Sequence, residues 1–475
     1  MTIVEKLAAG LATGSVIDDP ADMQAYLADE RALYQGTAAC VVLPGNTEEV
    51  AETVRICRDS GYSVVPQGGN TGYCGGASPD GENQVLLSTS RLNRIRSIDP
   101  VAMTATVEAG VILAQLQEAV AQQGLFFPLS MGSEGSCQIG GNLATNAGGL
   151  AVLKYGTAGE QVLGLEVVLP SGEVLDCLTA LRKDNTGYDL KSLFLGAEGS
   201  LGVITAAVVK LYPFPSEQQT AWLAAPDLHS VCKLLPLAKK LSGDTLTSFE
   251  YISAPSLVLA DQHIDKLRLP LAGESPHQVL LEMSAPLPSE ALRGPMEQFL
   301  QEAFEQGLIL DAVLAESDSQ RQQLWRIRES IPEAEKHAGR SIKHDISVPI
   351  SRIPEYVERA AAILPDIAEH RASIYGHIGD GNLHYNILSP QGVEPDEFRA
   401  RHASAFSQAL HELAVTMEGS FSAEHGIGKL KAADLERYKD PVALRLMASL
   451  KSALDPDDLM NPGKVVVPGS GENKN

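Results

Sequence analysis

The sequence predicts an α+β protein built from more than one domain. The chain has 475 residues, too many for one ordinary core. Hydrophobic residues make up 44%, enough to fill large interiors. Helix-period and strand-period patterns alternate along the whole chain, and in its second half they fit helices packed on an antiparallel sheet.

The elements follow in order. "TEEVAETVRICRDSG" reads as an amphipathic helix, with Val50, Val54 and Cys57 on one face and Gly61 as its stop. "YSVVPQGGNTGYCGGASP" is a strand entering a glycine-rich loop. "QVLLSTSRLNRIRSIDPVAMTATVEAG" reads as several strands with turns. "VILAQLQEAVAQQG" is a helix stopped by Gly124. A second glycine-rich loop runs from Gly132 to Gly149. "EQVLGLEVVLPSGEVLD" is a hairpin turning at Pro170-Ser171-Gly172, and "GSLGVITAAVVKLYPFP" is a strand that ends at prolines. The main boundary falls near Pro215. Beyond it, "DLHSVCKLLPLAKKLSG", "PMEQFLQEAFEQG" and "RIPEYVERAAAILPDIAEH" read as helices, and "HQVLLEMSA", "SIYGHI" and "LHYNIL" as strands. From Pro441 the chain is helical up to "DPDDLMNPGK", and the final "GSGENKN" is expected to fray.

Composition excludes some functions. Sixty acidic against 37 basic residues give a net charge of −23, which opposes nucleic-acid binding. No apolar run reaches the ~18 residues of a membrane span, and the start lacks a signal-peptide pattern. The six cysteines are scattered, with no C-x-x-C pair, as expected of reduced thiols in a cytoplasmic protein. The first histidine is His229, so acid–base and metal chemistry is expected after that point.

Two segments concentrate glycine: 68–76 (GGNTGYCGG) and 132–149 (GSEGSCQIGGNLATNAGG). Glycine lets backbone N–H groups approach a phosphate. A single glycine pair is more often a tight turn. Two dense loops that also carry Asn70, Thr71, Asn142, Thr145 and Asn146 favour a ligand. Neither loop is a Rossmann or Walker A sequence, which disfavours a nicotinamide dehydrogenase and a P-loop ATPase.

The segments "VVPQGGNTGYCGG", "GSCQIGGNLATNAGGLAVLKYG", "FLGAEGSLGVIT" and "NPGK" resemble the FAD-binding oxidoreductases of the vanillyl-alcohol oxidase class. Within that class they are most similar to D-2-hydroxyglutarate dehydrogenases and their D-lactate dehydrogenase relatives. The resemblance implies a two-part FAD-binding domain over residues 1–215 and an α+β substrate- and metal-binding domain with an antiparallel sheet over 216–425. A C-terminal helical segment, 426–475, would pack back on the FAD domain. It assigns non-covalent FAD to Pro66, Gly68, Gly69, Asn70, Thr71, Gly72, Gly132, Ser136, Gly140, Gly141, Asn142, Thr145, Asn146, Gly199, Gly202, Ile204 and Asn461. No histidine precedes His229, so the FAD-binding segment has none to attach the flavin.

"SIYGHIGDGNLHYNIL" reads as a hairpin turning at Asp380-Gly381. That centre pairs His377 with His384, Cβ atoms roughly 4.5–5.5 Å apart, and puts Asn386 on the same face. Two imidazoles so placed suit one divalent ion, although an arbitrary pair would be two surface histidines. "SAEHGIGK" offers an oxygen ligand in Glu424, or else a helix start capped by Ser422. The resemblance decides between them: His377, His384 and Glu424 are implied as ligands of zinc or another divalent metal. It also implies His425 as general base, Asn386 as a substrate contact, and Arg328 and Lys343 as holders of a distal carboxylate. A Thr of the family pattern is Pro332 here, which leaves a shorter diacid such as D-malate open. The implied reaction oxidises a D-2-hydroxy acid to the 2-oxo acid in a local positive pocket. An electron-transfer flavoprotein or quinone is the implied acceptor, and a homodimer the default assembly. The alternatives are a D-lactate dehydrogenase, a flavoprotein subunit of a glycolate-oxidase-like complex, and a flavin-free metallohydrolase.

Overall fold

A computed structural model of the chain describes residues 1–29, 31, 33–271 and 275–466. The terminal "GSGENKN" lies outside the described residues. The chain divides into two compact units. Unit 1 comprises Met1–Gly148, Gly156–Pro213 and Glu424–Asn475; unit 2 comprises Gly149–Tyr155 and Phe214–Ala423.

Unit 1 holds two main sheets. The first joins β1 (Val16–Ile17), β2 (Cys40–Val42), β3 (Ser63–Gln67) and β4 (Gln84–Ser88) in the order β1-β2-β4-β3. Its β2/β4 and β3/β4 pairs are parallel. The helix Thr47–Ser60 connects β2 to β3. Asn46 caps its start by accepting from Glu49 N–H, and Gly61 ends it at φ 73°, a left-handed angle natural to glycine. Val50, Val54 and Cys57 are its buried stripe, as the sequence spacing predicts. The second sheet joins β5 (Ile95–Asp99), β6 (Thr104–Glu108), β8 (Val162–Val168), β9 (Val174–Cys177) and β10 (Val203–Lys210) in the order β5-β6-β10-β8-β9. All its pairs are antiparallel. The Pro170-Ser171-Gly172 turn closes β8 onto β9, with Gly172 N–H donating to Leu169 O at 2.8 Å. A small pair joins β7 (Leu125–Phe126) to β11 (Tyr212–Pro213).

Two acids of the second sheet are buried and paired. Arg96 reaches Glu108 at 3.2 Å and Glu166 at 3.0 Å, and Arg94 meets Glu108 at 2.9 Å. Thr47 and Thr205 each donate to Glu166 Oε1 at 2.7 Å. Burial alone pushes both carboxyls up, but these hydrogen bonds hold Glu108 and Glu166 below the ordinary range.

The segment 132–149 differs from the expected loop. Residues Ile139–Ala144 form a short helix. Two of its glycines allow close packing: a Cβ on Gly140 would sit 2.6 Å from Ala109 Cβ, and Gly141 lies against Gly68.

Unit 2 is built on one antiparallel sheet of seven strands. They are β12 (Glu217–Ala225), β13 (Leu246–Ser253), β14 (His277–Ala285), β15 (Asp311–Leu314), β16 (Asp345–Ser347), β17 (Arg371–Gly376) and β18 (Asn382–Leu388). Their order is β15-β12-β14-β13-β17-β18-β16. Helices Leu228–Ser242, Arg293–Glu305, Ile353–Ile363 and Pro395–Thr416 contribute Leu234, Phe299, Tyr356 and Phe406 to the core that holds Phe249, Leu281 and Tyr385 of the sheet.

The histidine hairpin forms with a different register from the one its sequence predicts. Tyr375, not His377, opposes His384. The loop spans 377–381, because His377 O accepts from both Asp380 and Asn382 N–H, and Gly379 N–H is taken by Phe249 O of β13 at 3.1 Å. The shift is by two residues, so His384 and Asn386 keep their face of the sheet.

Candidate active site

In unit 1 the two glycine segments meet. A Cβ on Gly69 would lie 2.3 Å from Ser136 O, and one on Gly68 would lie 3.3 Å from Gly141 Cα. Gly72, Gly132 and Gly135 face open space instead, with no atom of the described residues within 4 Å of such a Cβ. Gly199, at φ 73°, packs on Pro66 of β3. Asn70, Asn146 and Asn461 all adopt left-handed backbone angles, which asparagine tolerates better than most residues. Asn70 Nδ2 donates to Ala28 O at 2.7 Å, and Asn146 Oδ1 accepts from Gly159 N–H at 2.9 Å. Thr145 Oγ1 donates to Gly141 O. Asn142 is buried against Cys137 Sγ, and Ser136 Oγ donates to Ser133 O. Gly202 fits against Val167, and Ile204 sits in the core of the second sheet.

The chain's C-terminal segment completes this cradle. Asn461 N–H donates to Val64 O of β3, and its Nδ2 donates to Gly76 O at 2.9 Å and Glu198 O at 2.7 Å. Asn461 Oδ1 is buried without a partner among the described residues, and so is Lys464 Nζ. Burial pulls Lys464 down to about 8, with Asp80 opposing. An unsatisfied buried ammonium is costly, and an anionic ligand relieves it. Close-packed glycines, open glycines and two buried polar atoms without a partner among the described residues fit a large anionic cofactor such as FAD. Glu198 escaped the sequence reading. It takes a left-handed angle and accepts from Ile427 and Gly428 N–H at 2.6 and 2.8 Å, so it anchors the loop after Glu424. Glu424 and His425 begin this C-terminal stretch of unit 1, in bends rather than a Ser422-capped helix. His425 packs edge-on against Tyr73 of the first glycine loop, ring centroids 4.9 Å apart.

In unit 2 the histidines converge despite the shifted register. The rings of His377 and His384 lie 5.6 Å apart, nearly perpendicular, and both residues are buried. Asp345 of β16 is the cross-strand neighbour of His384. Asp345 also accepts from Asn382 Nδ2 at 2.8 Å and from Ala423 N–H at 3.1 Å. Glu424 is the next residue in the chain.

Arg328 and Lys343 come to the same sheet, but not as bare charges. Arg328 is buried; its Nε donates to Glu250 Oε2 at 2.9 Å, and its guanidinium stands 4.8 Å from the Tyr375 ring centroid. His377 Nδ1 meets the other oxygen of Glu250 at 2.8 Å. Burial pushes the Glu250 carboxyl up, and His377 and Arg328 outweigh it to hold it low. Lys343 lies 3.6 Å from Glu335. Glu335 also receives Asn386 Nδ2 at 3.0 Å on each oxygen and Ser341 Oγ at 3.0 Å. Asn386 Oδ1 accepts from His344 N–H at 3.0 Å. Pro332 sits at the start of the helix Ile331–His337 and offers no donor. Glu250, Glu335 and Asp345 were missed by the sequence reading. An acid in the middle of the apolar run "TSFEYIS" was the available signal for Glu250.

Comparison with known proteins places this architecture. A family profile described as "FAD binding domain" matches residues 38–178, and one described as "FAD linked oxidases, C-terminal domain" matches residues 214–465. The chain belongs to the FAD-linked oxidases, and is an oxidoreductase of that family. In particular, it is 40% identical to the mitochondrial D-2-hydroxyglutarate dehydrogenase of Bos taurus, over 95% of this chain and 81% of the relative. It is 35% identical to D-2-hydroxyglutarate dehydrogenase of Stutzerimonas stutzeri, over 98% of both chains. It is 36% identical to a putative mitochondrial D-lactate dehydrogenase of Schizosaccharomyces pombe, over 95% of this chain and 88% of the relative. The fold is that of p-cresol methylhydroxylase, with a TM-score of 0.76 at 16% identity over 98% of this chain and 96% of that structure. No helix among the described residues is long and apolar enough to cross a membrane.

Proposed function

We propose that this chain is an FAD- and metal-dependent dehydrogenase that oxidises D-2-hydroxyglutarate to the 2-oxo acid. The observation that carries this reading is the convergence of His377, His384 and Arg328 on one sheet, in a chain 40% identical to a D-2-hydroxyglutarate dehydrogenase. FAD, bound without a covalent link in the glycine cradle, supplies the hydride acceptor. His377, His384 and Glu424 would hold zinc or another divalent ion, which supplies a Lewis acid for the oxygens of a 2-hydroxy acid.

The chain's own residues do the rest. Arg328 and Lys343 bind the distal carboxylate, and the partners that already hold them fix their aim. Asn386, held by Glu335 and Tyr375, is the proposed contact to the substrate carboxylate. His425 takes the proton from the 2-hydroxyl, and removing such a base costs about 10²–10⁴ in turnover. The electron acceptor is an electron-transfer flavoprotein or quinone, the location cytoplasmic and the assembly a homodimer; the Bos taurus and Schizosaccharomyces pombe relatives are named as mitochondrial.

Anaerobic mixing with D-2-hydroxyglutarate, D-malate, D-lactate and glycolate tests the reading. D-2-hydroxyglutarate should bleach the flavin fastest. His425→Asn, with full FAD occupancy, should slow that bleaching by about 10²–10⁴. Unchanged bleaching in this variant, or in chelator-stripped protein, sinks the assigned roles. Pro332 favours a second reading, with D-malate or D-lactate as substrate, and fastest bleaching by either one selects it.

A further inference from the structure

We infer that Glu198 is a positioning residue for His425, its carboxylate fastening the loop that follows His425 to the glycine cradle of unit 1. The inference rests on His425 as the proposed base and adds what holds that base in place.

Glu198 joins several pieces of the cradle. Its N–H donates to Ala144 O at 2.8 Å, at the end of the helix Ile139–Ala144. Its carbonyl O accepts from Asn461 Nδ2 at 2.7 Å. Its carboxylate lies against the first glycine loop, where a Cβ on Gly76 would come 3.0 Å from Oε2. The backbone angle, φ 51°, is left-handed, which a non-glycine residue keeps only where its surroundings fix it.

The side chain serves the C-terminal stretch. Oε1 accepts from Ile427 N–H at 2.6 Å, and Oε2 from Gly428 N–H at 2.8 Å. Successive N–H groups turned on one carboxylate form an anion nest. Gly426 and Gly428 take left-handed angles of 76° and 51° to build it, and a Cβ on Gly426 would sit 2.8 Å from Oε1. The half-buried carboxyl is pushed up by desolvation; the two N–H groups, and then Lys431, oppose that. Both oxygens thus go to a two-residue stretch of loop just beyond His425, whose ring rests on Tyr73 of the first glycine loop. Cys74 O gives the loop a second tether, accepting from Lys429 and Leu430 N–H at 2.9 and 3.1 Å. Loss of the Glu198 contact should therefore shift the loop without unfolding it.

The isosteric Glu198→Gln variant keeps the shape and removes one acceptor. The Gln oxygen accepts from one of the two N–H groups, and its own NH₂ faces the other. FAD-loaded protein is mixed anaerobically with saturating D-2-hydroxyglutarate, and flavin reduction is read per bound FAD. Glu198→Gln should slow it by up to about 10²-fold. A residue that acts through His425 has no further effect once His425 is gone, so the double variant with His425→Asn should be no slower than His425→Asn alone. A merely structural role would lower the melting temperature and leave the rate per bound FAD unchanged. The wild-type rate in Glu198→Gln, or a double variant slower than His425→Asn, overturns the inference and leaves the base assignment standing. His425→Asn at the wild-type rate removes the base assignment itself, and the inference falls with it. Should Glu198→Gln not load FAD, amide hydrogen exchange in the wild-type holoenzyme decides: slow exchange at Ile427 and Gly428 supports the inference, and exchange at the rate of an open loop overturns it.

Discussion

The candidate sites of the two units are made of different material. The cradle in unit 1 is largely backbone: glycines that touch one another across Gly68–Gly141 and Gly69–Ser136, with open glycines beside them. The site in unit 2 is made of side chains, and buried acids hold Arg328, His377, Asn386 and Lys343. A backbone site needs the right residues missing a side chain. A side-chain site needs partners that the fold brings together from far apart. The first is damaged by adding one methyl group, the second by removing one charge.

Gly69→Ala and Gly72→Ala test the backbone half. A methyl at Gly69 must displace the backbone of Ser136, a carbonyl 2.3 Å away, whereas one at Gly72 meets no protein atom. Overpacking of this kind costs about 1–3 kcal/mol. Gly69→Ala should therefore lower both thermal stability and FAD content. Gly72→Ala should melt like wild type as apoprotein yet bind FAD more weakly, which a fluorescence titration reads. Equal behaviour of the two variants would remove the distinction between packed and open glycines.

A smaller effect is expected in the side-chain half at Pro332. Restoring the hydroxyl with Pro332→Thr adds at most one hydrogen bond, about 0.5–1.5 kcal/mol. The ratio of kcat/KM for D-2-hydroxyglutarate over D-lactate should rise about 2–10-fold. A fall in that ratio would show that the proline is itself part of the diacid fit.

The smallest effect concerns how each unit keeps its buried acids ionised. Glu108 and Glu166 are held below their ordinary value, so their contribution is present above pH 4.5 and is lost as the pH falls through their folded values. The melting temperature of unit 1 should decline below that pH. Arg96→Gln, which removes the ion pair to Glu166 and leaves Arg94 on Glu108, should flatten part of the decline. An unaltered pH profile in Arg96→Gln would assign the acid sensitivity elsewhere.

This contrast also explains what was legible in the sequence. The helix Thr47–Ser60, the β8/β9 hairpin and the two glycine segments are local patterns, and local patterns can be read from spacing. The helix Ile139–Ala144 was hidden because its glycines look like a loop until Ala109 and Gly68 are seen against them. The Asp380-Gly381 pair suggested a tight turn, but Phe249 of another strand takes the Gly379 N–H and lengthens the loop. The least legible feature was the company of the cations. Glu250 lies 78 residues from Arg328 and 127 from His377, so no window of sequence shows that Arg328 arrives already paired. Arg328 and Lys343 each stand against a buried acid, Glu250 and Glu335, which fixes their direction.

Asn461 reaches back to Gly76 across 385 residues, and Asn461 and Leu459 run beside Val64 of β3. During synthesis, the glycine loops therefore emerge long before the strand and amide that close them. Contacts of such long range form late. Until residues 459–461 have left the ribosome, the first sheet keeps an open edge and the cradle an open side. Closure of the cradle thus waits for residues 459–461, and a chain that stops short of Leu459 carries the glycines of both loops without the residues that join them.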